Sequence, residues 1–507
     1  MSSEAWSAVD AAVRTARQTR LSARFDAAAT PAAADARLAA LTFDIAGIHA
    51  DFTKTHLDPP VVAAFADLAR ATGFAVRRKA LFAGDIVNPT ESRAATHSAE
   101  RGIGAEGDVA ATAEARAQMR AIHDRVTNGD FGDIRHIIHI GIGGSFLGPA
   151  LVVDALSGGR PRYDTHILGN IDGVALSRAL AAVDAARTLV IAVSKSFTTL
   201  ETMTNVESAL AALGDDARSR LVAVTAAPDK AAAFGVAPDN ILPFAETVGG
   251  RYSLWTGVGL VAALALGWDE YQALLSGAAI MDAHFRDADF ADNLPVIAAL
   301  MDLTYASVVG AETRAVFAYD QRLALLPPFL QQLETESNGK RVTLAGDVLD
   351  RPSSPVVWGG VGTDAQHAVF QLLHQGTHLV PTEFLAVVEP GHDLAGDHHR
   401  QLIANCIAQG AALMRGRTEE EAGSAAKTFP GDVPSATLLL DRLDARTLGA
   451  LIAFYEHRTF TFGSLLGINS FDQMGVELGK DVARAIAGGS LGDLDASSLD
   501  LLRRAKR

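Results

Sequence analysis

Three short runs in the first half of the chain are rich in β-branched apolar residues: Ile134–Ile140, Thr188–Val193 and Leu221–Thr225. The last two are apolar at almost every position. Helical spacing of apolar residues fills the segments between them. Strands that are apolar on both faces must be covered on both faces, which predicts a parallel sheet between helical layers. A second region of this kind begins near Gly310, with Thr313–Tyr319 as its first strand. Up to about Gly73 the pattern is helical with one extended insertion, Leu41–Lys54. The run Val258–Gly267 is too short to span a bilayer and predicts a buried helix. From about Ser470 the pattern is helical again, including Gly479–Ala487, and the basic tail Leu501–Arg507 is expected to fray. There is no fixed-period repeat. The reading is an α/β chain with two similar domains and a cleft between them.

Composition sharpens this. A chain of 507 residues with 49% hydrophobic content has material for two or three cores. Abundant alanine and few aromatics favour helix. Lys and Arg number 44 against 59 Asp and Glu, a net charge of −15. Such a surface repels nucleic acid and anionic membranes, so an anionic ligand needs a local patch of cations and backbone N–H groups. The single cysteine, Cys406, excludes an intrachain disulfide and fits a reducing cytoplasm. It lies in the apolar-periodic run Leu402–Ile407 and reads as a packed helix residue. The opening Met1-Ser2-Ser3-Glu4, followed by a mixed, charged sequence, does not read as a signal peptide.

Chemistry is densest at Gln331-Gln332-Leu333-Glu334-Thr335-Glu336-Ser337-Asn338-Gly339-Lys340-Arg341, which leaves an apolar segment, Leu323–Leu330. Polar groups on a rigid scaffold are what an accessible site needs. Ser-Asn-Gly is turn chemistry, with Asn and Gly tolerant of positive φ. Two steps apart, Glu334 and Glu336 share a face on a strand but point nearly opposite ways on a helix; one is expected in a site and the other at the surface. The Gly141-Ile142-Gly143-Gly144-Ser145 loop closes a strand and precedes a helix. It suits either an anion against bare N–H groups or a tight turn without ligand. It lacks both the dinucleotide fingerprint, since Phe146 stands where Gly is needed, and the P-loop Gly-Lys-Ser/Thr. Ser194-Lys195-Ser196-Phe197-Thr198-Thr199 offers four hydroxyls and a lysine after a buried strand. A cap needs one hydroxyl, so a phosphate cradle is the better reading.

Other segments stay open on residue grounds. Arg251, after Gly249-Gly250, fits a salt bridge or a site. The stretch Asn88-Pro89-Thr90-Glu91-Ser92-Arg93 reads as a loop and helix start with Thr90 as a cap, or as a substrate contact. His367 and His374, seven apart, could share a helix face, but only Asp364 is near as a further ligand and no metal is expected. His392, His398 and His399 read as a helix-start cluster.

The Gln-Gln followed by Glu336-Ser337-Asn338-Gly339-Lys340 resembles the hallmark of the glucose-6-phosphate isomerase family, with Thr335 where Met is usual. A second signature, Asn469–Lys480, matches almost completely, with Met474 where Trp is usual. Gly249-Gly250-Arg251-Tyr252-Ser253, the hydroxyl-rich loop and the Asn88–Arg93 segment followed by His97 also match. The likeness runs from roughly Leu41 to Ala487.

The resemblance implies two α/β/α sandwich domains of sugar-isomerase type with mostly parallel sheets and a C-terminal helical arm. The corresponding divisions are 1–105, an N-terminal helical part packing with the large domain; 106–270, the small domain; 271–469, the large domain; and 470–507, the arm. It implies reversible interconversion of glucose 6-phosphate and fructose 6-phosphate through a cis-enediolate, with no cofactor or metal. Glu336 is then the base that moves a proton between C2 and C1, Arg251 faces the reacting carbons, and His367 and Lys480 act in ring opening, with Gln473 positioning. Ser145, Ser194, Lys195, Ser196 and Thr199 hold the phosphate. His367 is expected from the partner subunit of a homodimer, and His374 is structural. Phe146 departs from the Asp common in the family.

Two other readings differ in what they require. An isomerase preferring mannose 6-phosphate separates by its substrate preference. A non-enzymatic sugar-phosphate sensor would keep the cradle but need not keep Glu336, Arg251, His367 and Lys480 together.

Overall fold

The structure is a computed structural model describing residues 2–25, 31–159 and 161–505. Met1 of the opening sequence and Lys506 and Arg507 of the basic tail lie outside the described residues. Eleven strands are present among those described: β1 Thr42–Ile45, β2 Ile48–Asp51, β3 His136–Ile140, β4 Asp164–Leu168, β5 Thr188–Val193, β6 Leu221–Thr225, β7 Ile241–Pro243, β8 Thr313–Tyr319, β9 Val356–Val361, β10 Thr382–Val387 and β11 Ser435–Leu440. They form two sheets. One runs β4-β3-β5-β6-β7, all parallel. The other runs β1-β2-β11-β10-β8-β9.

The uniformly apolar strands sit where their pattern requires. All residues of β5 and β6 are buried. So are all six of β10, although it carries Glu383. In the second sheet β8, β9, β10 and β11 are parallel. The extended insertion near the start of the chain is the antiparallel hairpin β1–β2, and β2 pairs antiparallel with β11. This hairpin, far from β11 in sequence, extends the second sheet from the N-terminal part of the chain.

Helices between the sheets carry the burial. Ala445–Leu466 is almost wholly buried and packs on Trp268–Asp287, Leu294–Asp302 and Leu326–Asn338. A helix buried on every side must pair whatever polar groups it carries. Here Tyr455, Glu456, His457 and Arg458 are consecutive and buried. Glu456 accepts from Arg101 and from Trp255 Nε1, and His457 Nε2 lies 2.6 Å from Asp282 Oδ1. Arg458 donates to both carboxylate oxygens of Asp302 and to Glu383, which also accepts from Tyr455.

The Leu260–Leu266 helix lies inside the run read as buried helix. Cys406 is buried in the His398–Arg415 helix, and burial pushes its thiol up to about 12. His398 begins that helix, in keeping with the helix-start reading of the histidine group. Three expectations are corrected. The chain from Ser470 to Gln473 is irregular, and helix proper resumes at Glu477–Ala487. Thr90 caps no helix; its hydroxyl donates to Asp472 Oδ2 at 2.6 Å instead and lies 3.0 Å from Asn88 Oδ1. Ser337 and Asn338 are the last residues of the Leu326–Asn338 helix rather than part of a turn, and Gly339 closes it at φ −72°, so no positive φ is involved.

Candidate active site

The Leu326–Asn338 helix starts on Pro327 and Pro328, whose missing N–H groups cost nothing in a first turn. Its apolar side is buried, and its last turn carries the polar cluster. Glu334 and Glu336 point apart as helix geometry requires, but Glu334 is not the surface residue expected. It is buried and accepts from Arg314 Nη2 at 2.5 Å. Burial pushes its carboxyl upward, against the pull of Arg314. The reason is tertiary: Arg314, on β8, and Arg458 face three carboxylates there, Asp302, Glu334 and Glu383.

Glu336 is half-buried. One carboxylate oxygen accepts from Gln332 Nε2 at 2.9 Å, and the other lies 3.7 Å from Arg251 Nη1. Arg251 is 3% exposed and held on every nitrogen. Nε donates to Ser337 Oγ at 2.6 Å, Nη1 to Gln473 Oε1 at 3.0 Å, and Nη2 to the carbonyls of Ser470 at 2.7 Å and Asp472 at 3.2 Å. Tyr252 OH lies 3.0 Å from the same Ser337 hydroxyl. A guanidinium fixed this way has one orientation, which suits charge that develops at a single place.

The glycine loop reaches this group. Gly143 has φ +58°, and a Cβ there would stand 2.8 Å from Gln332 Nε2. A Cβ on Gly144 would run into the carbonyl of Gly250. Glycine is needed at both positions because backbone approaches backbone and the partner of Glu336. Ser145 follows in the first turn of the Gly144–Leu156 helix, and its carbonyl accepts from the buried His139 Nε2. Phe146 packs on Gly169 at the end of β4.

The hydroxyl-rich loop joins from the other side. It leaves β5 and ends at Thr199, before the Leu200–Leu213 helix. Ser194 Oγ lies 2.9 Å from Thr199 Oγ1, and Thr198 donates to Ser196 Oγ. Lys195 Nζ donates to the carbonyls of Glu246 at 2.6 Å and Val248 at 3.1 Å, in the segment that leads into Arg251. Burial and the nearby Arg93 lower its basicity. Arg93 itself lies 3.4 Å from Glu246.

Among the residues expected in the site, Glu336, Arg251 and Gln473 are in direct contact, and the Ser145 and Ser194–Thr199 loops adjoin them through Gly144 and Lys195. Two are not brought in. His367 is exposed on the Asp364–Gln375 helix. Lys480 is exposed on Glu477–Ala487 and pairs with Glu477 at 2.9 Å.

Several side chains were missed. Gln332 stands four residues before Glu336, a spacing that on a helix brings side chains together and was legible. Ser337 and Lys340 stand in the polar cluster, but their contacts with Arg251, Tyr252 and Asp472 span long sequence distances and left no local signal. His97 lies between Tyr252 and Phe471, at 4.7 and 6.0 Å between ring centres, and burial with nearby Arg101 holds its imidazole well below its ordinary pKa.

The arrangement joins a carboxylate, a buried arginine and a hydroxyl-rich loop. The chain as a whole is similar to known proteins over most of its length. A glucose-6-phosphate isomerase of Sphingopyxis alaskensis is 56% identical over 475 residues, 93% of this chain and 94% of that protein. One of Zymomonas mobilis subsp. mobilis is 53% identical over 89% of each chain. The crystal structure of a glucose-6-phosphate isomerase from Chlamydia trachomatis superposes with a TM-score of 0.85 at 30% identity, covering 93% of this chain and 94% of that one. The phosphoglucose isomerase pattern matches residues 51–501 and so takes in both signatures and every loop described above; the chain belongs to the phosphoglucose isomerase family.

Proposed function

We propose that this protein interconverts D-glucose 6-phosphate and D-fructose 6-phosphate, with Glu336 as the base. The observation that carries the reading is the Glu336–Arg251 pair at 3.7 Å, with Arg251 locked by four further hydrogen bonds. The proton next to a sugar carbonyl is a very weak acid. Its removal needs a base within reach and a fixed positive charge for the enediolate oxygens. Glu336 takes the proton from C2 and returns it to C1, while Arg251 stabilises the charge left on oxygen. Ser145, Ser194, Lys195, Ser196 and Thr199 grip the phosphate, so that binding energy at one end aligns the other.

His367 and Lys480 belong to ring opening in this reading. The exposure of His367 fits donation across a homodimer, as His367 of the partner subunit. Gln473, hydrogen-bonded to Arg251, precedes the helix that carries Lys480 and supports an approach of that helix to the site. The division into parts 1–105, 106–270, 271–469 and 470–507 belongs to the same proposal, and β2 pairing with β11 supports the packing of the first part on the third. Among the described residues no helix is long and apolar enough to cross a membrane; with the single cysteine, this supports a cytoplasmic enzyme.

The test is conversion of fructose 6-phosphate to glucose 6-phosphate, coupled to oxidation of the product, with chelator present. Activity is expected for the wild type and loss for Glu336→Gln. Absence of wild-type conversion overturns the reading.

A further inference from the structure

Lys340 lies near the end of the polar cluster, two residues past the Leu326–Asn338 helix. Its side chain is only 16% exposed. It doubles back over the helix end. Helix termini leave their last carbonyls without N–H partners. The backbone N–H of Lys340 goes to Asn338, and its ammonium takes the carbonyls of Glu336 at 2.9 Å and Ser337 at 2.8 Å. Its third N–H goes to the carbonyl of Asp472 at 2.9 Å, and Asp472 Oδ1 lies 3.2 Å away.

Asp472 is a hub. Its other oxygen accepts from Thr90 at 2.6 Å and Asn469 at 3.0 Å. Its carbonyl, shared between Lys340 and Arg251, belongs to the Ser470–Gln473 strap that holds the guanidinium. One ammonium therefore ties the residue that bears the carboxylate to the segment that aims the arginine. Burial and the adjacent Arg251 lower the basicity of Lys340, so this charge is held there at a cost.

We propose that Lys340 is a positioning residue for the isomerisation: with Asp472 it fixes Glu336 and Arg251 relative to each other without touching the substrate. This rests on the functional reading given above. Removing the clamp frees the helix end from the strap and misaligns base and arginine, while the phosphate loops, on other elements, keep their grip.

The experiment compares wild type, Lys340→Met, Lys340→Arg and Asp472→Asn in steady-state kinetics with fructose 6-phosphate, corrected for folded fraction by circular dichroism. Lys340→Met is expected to lower kcat by about 10–100-fold, the range for a misplacement of roughly 1 Å, with KM changed less than about threefold. Asp472→Asn, which keeps the carbonyl, lowers kcat less, and Lys340→Arg restores part of it. Folded Lys340→Met with wild-type kcat, or with its loss confined to KM, overturns the proposal. Should Lys340→Met not fold, a wild-type kcat in Asp472→Asn overturns it. A wild type that does not isomerise the sugar phosphate removes the functional reading itself, which is a distinct result from an active wild type with unaffected variants.

Discussion

Glu334 and Glu336 stand two residues apart on one helix, about 200° around its axis, and glutamine in each separates chemistry from stability. Glu336→Gln keeps the shape and an acceptor for Gln332 Nε2. Arg251 keeps its four other hydrogen bonds in this variant, so the folded state should lose less than in Glu334→Gln. Removing a general base costs about 10²–10⁴-fold in rate, or roughly 2.7–5.4 kcal/mol in the barrier. Glu334→Gln removes a buried charge that accepts from Arg314 at 2.5 Å. A hydrogen bond to a charged group is worth about 1.5–3 kcal/mol. Burial already disfavours the charged form of Glu334, and Asp302 and Glu383 remain near Arg314, which places the loss at the low end of that range. The coupled assay gives kcat, urea unfolding gives stability, and exchange of the C2 hydrogen with solvent isolates the proton step. Expected are a stable, inactive Glu336→Gln without exchange and a destabilised, active Glu334→Gln. Retained C2 exchange in Glu336→Gln would refute the assignment of the base. Loss of turnover in a fully stable Glu334→Gln would refute the division of roles.

Lys195→Ala should weaken binding of a non-isomerisable sugar-acid 6-phosphate about 10–100-fold, since a charge-assisted contact is lost, with a smaller effect on kcat; calorimetric titration checks this. Gly143→Ala should lower kcat through displacement of Gln332 from Glu336, because the new Cβ would stand 2.8 Å from Gln332 Nε2; steady-state kinetics on the folded variant checks it. His56 and His139 are held near 4 by burial, against 6.5 for a free imidazole. Between those values the unfolded chain binds the protons and the folded one does not, so stability falls as pH drops from 6.5 towards 4, by about 2 kcal/mol per histidine by pH 5. Urea midpoints from pH 7 to 5 should show this decline, with a shallower slope in His139→Gln.

The strands β5, β6 and β8 were legible to the residue because a strand covered on both faces is apolar at most positions, a signal contained in five to seven neighbours. The Gly141–Ser145 and Ser194–Thr199 segments were legible as loops for a related reason: each follows such a strand and precedes a helix. Opposite directions for Glu334 and Glu336 followed from the helix alone. Where Glu334 goes did not, because its partner Arg314 and the surrounding Asp302 and Glu383 come together only when β8, β10 and the buried helices pack. Thr90 looked like a cap until Asp472, 382 residues away, took its hydroxyl. Nothing near Lys340 in sequence announced its contact with Asp472, which the Ser470–Gln473 strap supplies from 132 residues away. Local pattern determined which segments could carry chemistry. Tertiary packing decided which charges were buried, because the cost of burying a charge depends on partners that the neighbouring sequence does not contain.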